Sequence, residues 1–183
     1  GDGVPALLTS LGGAYLDVAG NPNVAQSFVF VEVADTIKPV PLSATVNFGT
    51  GRLVVTAAET IDLNPGSNVD VSKFFFENTL GDTAISLEGM ALLGSTDALT
   101  FTLDITEAQR AGAIAFSGTG GGDGAAITLR VDADGVLDVG TNGNAQTLNI
   151  PIVETADIIR PVVQAGSVNL TDGVLTVTSS ETL

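Results

Sequence analysis

Two sets of oxygen-bearing side chains occur twice in this chain. Glu32, Asp35 and Glu59 reappear as Glu154, Asp157 and Glu181, and the loop set Asp17, Asn21 and Asn23 reappears as Asp138, Asn142 and Asn144. Carboxylates and amides are hard oxygen donors, and calcium collects about six to eight such oxygens. Their recurrence points to calcium at these positions, where an ion between neighbouring domains would stiffen a linear array. The same residues have a second reading. Asp17 and Asn21 can cap turns through side-chain-to-backbone hydrogen bonds, leaving the acids at strand ends solvated. No complete calcium-loop signature is present. Asp132-Ala-Asp134-Gly135 starts like one, lacks the later ligands, and reads as a hairpin turn.

Other chemistry has little to work with. The chain has no His and no Cys, which removes the commonest zinc ligands, the Ser–His and Cys nucleophile systems and every disulfide. Glu77 and Glu88 are a carboxylate pair of the kind glycosidases use, but nothing marks a cleft around them. The run SGTGGGDG at 117–124 is followed by no Lys and sits among acids, so it reads as a flexible loop rather than a phosphate cradle. Asn169-Leu-Thr171 fits a glycosylation sequon. No enzyme is expected.

Composition narrows the partners. With 21 acidic against 6 basic residues the net charge is −15, which repels phosphate backbones and argues against nucleic acid. No apolar run approaches the roughly 20 residues of a membrane span. An initiator Met and a signal peptide are both lacking, so a fragment or processed form is expected. At 44% hydrophobic the chain can bury a core, and its Val, Ile and Thr suit pleated surfaces.

The duplication extends well beyond the acids. Gly1–Asp2–Gly3 recurs at Gly122–Asp123–Gly124, an offset of 121 (122 − 1), and Leu16–Asp17–Val18 recurs at Leu137–Asp138–Val139. After an insertion the offset is one larger, matching Pro39 to Pro161, Val46–Asn47 to Val168–Asn169 and Gly51 to Gly173. Residues 62–121 occur once. This reads as one and a half copies of a unit of about 122 residues, a common domain size. A Pro suits the first position of a strand, so the boundaries fall near ADTIKP and ADIIRP. Residues 1–35 would close a preceding repeat, 36–157 would form a complete one, and 158–183 would open a following one.

Within one unit, most segments read as strands. SATVNF and RLVVTA, joined at Gly49–Thr50–Gly51, form a hairpin. DALTFTLDI points Leu99, Phe101 and Leu103 inward, and AAITLRVDADGVLDV makes a hairpin about Asp134–Gly135 with Ile127, Leu129 and Val131 inward. TLNIPIVET, or SFVFVEVA in the other copy, is a last strand, and TAISLEG a short one. Phe74–Phe75–Phe76 alternates faces, so its rings divide between a core and a face open to a subunit contact. Thr106 and Gln109 frame a capping box for one short helix, which Gly112 and the glycine run bring to an end.

Three motifs together resemble a known pattern: Asp35–Pro39 as D-x-x-x-P, GRLVVTAAETID with Glu59 and Asp62, and LDVAGNPN. They are similar to the Ig-like repeats of large bacterial surface proteins, including S-layer and adhesin-type proteins. That resemblance implies an all-β, immunoglobulin-like β-sandwich in tandem repeats of about 122 residues, with one short helix, at the cell surface or outside the cell. The implied function is a structural unit of a filament, stalk or surface layer, assembled in series or by strand complementation. An adhesin module binding glycans or another cell surface is the alternative. The partners expected are neighbouring copies of itself, either as tandem repeats or as a head-to-tail homopolymer.

Overall fold

A computed structural model describes residues 4–79 and 84–182, so the first Gly-Asp-Gly motif, at residues 1–3, and Thr83 at the start of TAISLEG lie outside the described residues. The chain divides into two compact units, Gly1–Thr36 and Ile37–Leu183. In the first, β1 (Leu7–Ser10) and β2 (Gln26–Val29) pair antiparallel across a 15-residue loop at 11–25, and both strands are largely exposed.

The second unit carries the strands β3 (Pro41–Asn47), β4 (Arg52–Ile61), β5 (Phe74–Asn78), β6 (Ile85–Ser86), β7 (Ala91–Leu93) and β8 (Ala98–Asp104). Helix α1 (Glu107–Ala115) follows, then β9 (Ile127–Val131), β10 (Thr147–Thr155), β11 (Val163–Asn169) and β12 (Val174–Ser179). Eight of these strands form one sheet in the order β6-β5-β9-β10-β3-β4-β8-β7, while β11 and β12 pair only with each other. Alternation explains which side faces in. Ala44 and Val46 of β3, Leu53 and Val55 of β4, Phe74 and Phe76 of β5, Phe101 and Leu103 of β8, and Leu129 and Val131 of β9 are all buried in one cluster. Leu99 departs from this pattern and is exposed. The β4–β8 register shifts between Thr56 and Ile61, and Leu99 falls in the gap.

The rings of Phe74 and Phe101 meet edge to face, 6.3 Å apart, although β5 and β8 are the second and seventh strands of the sheet. The sheet therefore curls until its two ends face each other across the core, as a half-barrel. Strand β10 makes this possible, because it pairs antiparallel with β9 and parallel with β3. This corrects the immunoglobulin-like sandwich in tandem repeats: among the described residues the second unit has one eight-stranded curled sheet around one core, rather than a succession of sandwiches. The wall that closes the core comes from β5 to β8 and α1, all within the 62–121 stretch that occurs once. A filament, stalk or surface-layer unit built of repeats in series, and its alternative as an Ig-like adhesin module, lose their basis with it.

What recurs is the hairpin. Ser10 pairs with Gln26 as Val131 pairs with Thr147, and Leu8 with Phe28 as Leu129 with Ile150. The extra residue that changes the sequence offset is a β-bulge between Thr147 and Ile150, where Asn149 takes a φ of 54°. Likewise Asn47 pairs with Arg52 as Asn169 with Val174, and Gly51 and Gly173 both close their turns at positive φ. Burial does not recur. Leu53 and Val55 are 0% exposed, whereas their counterparts Leu175 and Val177 are 67% and 48% exposed.

Two further expectations resolve. Of the three phenylalanines, Phe74 and Phe76 join the core, and the outward Phe75 lies under the Arg130 guanidinium, 4.1 Å from the ring centroid. The Asp134–Gly135 turn exists, with Gly135 N donating to Asp132 O, but no tight hairpin follows it. The chain instead runs on to bridge Val69 and Ile61, and β9 pairs with β10.

Helix α1 has its capping box, Thr106 N donating to Gln109 Oε1 at 2.9 Å and Gln109 N to Thr106 Oγ1 at 3.3 Å. It continues past Gly112. A Cβ there would stand 3.2 Å from Ile85 Cδ1, so this glycine lets the helix lie close against β6. Among the described residues no helix is long and apolar enough to cross a membrane.

Candidate metal centre

Strand β4 ends beside the loop that follows β9. Asp62 N donates to Leu137 O at 2.9 Å, and Ile61 bridges Asp138. Glu59 is two residues before Ile61, so strand alternation turns it to the same side. Asp138 is 2% exposed, and its carboxylate is oriented by Asn142, whose backbone N and Nδ2 donate to it at 2.8 and 2.9 Å. Asp35, next to last in the first unit, is exposed. Carboxylate oxygens of Glu59 and Asp138 lie within 4.8 Å of each other, an acidic pair placed to hold a metal ion. Glu59 is partly buried and Asp138 buried.

The loop set follows the turn-capping alternative. Asp17 accepts hydrogen bonds from Ala19 N, Asn21 N and Asn21 Nδ2, all at 2.9 Å. The hydrogen bonds from Asn21 hold its carboxyl below the usual range. Asn23 accepts from Tyr15 N and donates to Ser10 Oγ, Leu11 O and Val24 O. Asn144 repeats this, accepting from Val136 N and donating to Asp132 O and Ala145 O. Glu32 and Glu154 also act locally: Ala6 N donates to the first at 2.6 Å, and the matching Ile127 N to the second at 2.7 Å. Gly118 N donates to Glu154 as well.

Asp157 and Glu181, the counterparts of Asp35 and Glu59, converge on a cation that belongs to the protein. Arg110 is nearly buried and pairs with Asp157 Oδ2, with Glu107 at 2.7 Å and with Glu181 at 3.7 Å. Its Nη1 also donates to Phe48 O at 2.8 Å. Sequence reasoning missed Arg110 as more than a helix residue. The available signal was a rare basic residue one turn after Glu107 in a strongly acidic chain. It also left Glu59 and Asp138 in separate groups, because the β4–loop bridge that unites them is a long-range contact.

Arg110 also shifts its neighbour's titration. Hydrogen bonding from the guanidinium lowers the Glu107 carboxyl from 4.5 to about 2. A carboxyl lowered on folding stabilises fully above its unfolded value, progressively less as pH falls below that, and not at all below the folded value. Glu107 therefore supports the fold undiminished above pH 4.5 and loses its contribution between 4.5 and about 2. An NMR titration of its side-chain carboxyl should show a midpoint near the lower value, and one at 4.5 would remove the effect.

No protein-family model, no curated protein and no solved structure matches the chain.

Proposed function

We propose that the protein is a non-catalytic, extracellular β module that binds calcium at Glu59 and Asp138, and that the ion stiffens the end of β4 against the loop after β9. The convergence of the Glu59 and Asp138 carboxylates, one partly buried and one buried, carries this reading. Like charges this close repel one another, and a cation between them removes that repulsion. All the donors are oxygens, which favours a hard cation. Calcium tolerates irregular shells with bidentate carboxylates, whereas magnesium needs a near-octahedral one. A second feature favours a cation: Glu181, the counterpart of Glu59, already faces the guanidinium of Arg110.

Thermal unfolding with calcium, with magnesium and with chelator tests the reading. Calcium on the order of 10 mM suits the weak affinity of extracellular calcium modules. An ion at about a hundred times its Kd stabilises the folded state by about 2.7 kcal/mol, so Tm should rise. Glu59→Gln, which keeps size and removes charge, should abolish most of that rise while folding normally. A midpoint indifferent to calcium in the unsubstituted protein would overturn the proposal.

A further inference from the structure

The C-terminal hairpin is built in an unusual way for part of a folded unit. β11 is exposed along its whole length, as is β12 up to its last residue, and the two pair only with each other. Its apolar faces therefore do little to hold it in place. Its root is different. Asp157 before the hairpin and Glu181 after it both pair with Arg110, and Thr182 N donates to Glu107 Oε1 at 2.8 Å.

From these contacts we infer that Arg110 is a latch: it clamps both chain ends of the β11–β12 arm to α1 and the β3–β4 turn, and its release lets the arm swing while the eight-stranded sheet stays folded. Each packed element presents a group to the guanidinium. These are Glu107 from α1, Asp157 from the segment before the arm, Glu181 from the segment after it, and the Phe48 carbonyl from the β3–β4 turn. One cation is thus surrounded by three carboxylates. Removing it leaves three like charges facing one another, so the root opens rather than relaxing in place. The break is local because Phe48 meets the guanidinium through its backbone carbonyl, while its side chain belongs to the apolar core cluster of the sheet.

Hydrogen exchange followed by mass spectrometry tests the latch in the full chain. In Arg110→Gln, exchange over residues 156–162 and 180–182 should accelerate on the order of a hundredfold, as expected when a buried charge cluster loses a partner. Exchange in β9 should keep its unsubstituted rate. Glu181→Gln provides an independent variant, since it leaves the Arg110–Glu107 pair intact, and should produce a smaller acceleration over the same segments. If Arg110→Gln does not fold, the Glu181→Gln result decides. Unchanged exchange at the root would overturn the latch, and so would acceleration spread evenly into β9.

Discussion

Leu53→Ala should cost the fold about 2–5 kcal/mol, while Leu175→Ala, at the matching position of the other hairpin, should cost under about 0.5 kcal/mol. Both leucines stand on the second strand of a hairpin with the same register and the same turn. Intrinsic strand preference and cross-strand pairing are therefore closely comparable at the two sites. The difference is cover. Leu53 is closed in by the curled sheet, so truncation forfeits its transfer free energy and leaves a cavity between β4 and the facing strands. Leu175 stands in water, and truncation removes surface that was never buried. Urea unfolding of the two variants measures both costs. Equal losses would mean that the β11–β12 face is covered in solution, contrary to this structure.

Asn144→Ala should cost about 3 kcal/mol, since it breaks three hydrogen bonds to backbone, one buried and two part-buried, at roughly 1 kcal/mol each. The partners are Val136 N, Asp132 O and Ala145 O. Asn23→Ala removes the same bonds from the corresponding loop in the first unit, where the surroundings are exposed and water can replace the amide. Its cost should stay below about 1 kcal/mol. Denaturant midpoints for the pair give the comparison. A small loss at Asn144 would show that water reaches this loop, which would also weaken the case for an ion bound to the neighbouring Asp138.

The Ig-like resemblance misled for an identifiable reason. D-x-x-x-P, GRLVVTAAETID and LDVAGNPN each span a few residues and encode a strand start, one arm of a hairpin and a side-chain-locked loop. Such pieces can be assembled into more than one β architecture, and here a parallel pairing of β10 with β3 joined them into one curled sheet.

By itself the sequence determined several features whose partners lie close along the chain. It specified the β3–β4 hairpin and its turn glycine, the capping box at Thr106 and Gln109, the alternation of Phe74 and Phe76 with Phe75, and the twin Asp–Asn loops. Each depends on hydrogen bonds or side-chain alternation within one or two turns of backbone, so it forms wherever those residues occur. Tertiary structure alone decided which hairpin is buried, where Leu99 points, how the sheet closes on Phe74 and Phe101, and that Asp157 and Glu181 meet Arg110. Those outcomes depend on contacts between distant parts of the chain, such as Arg110 with Asp157 or Asp62 with Leu137. Identical local sequences acquire different surroundings because burial and charge pairing are properties of what packs around them.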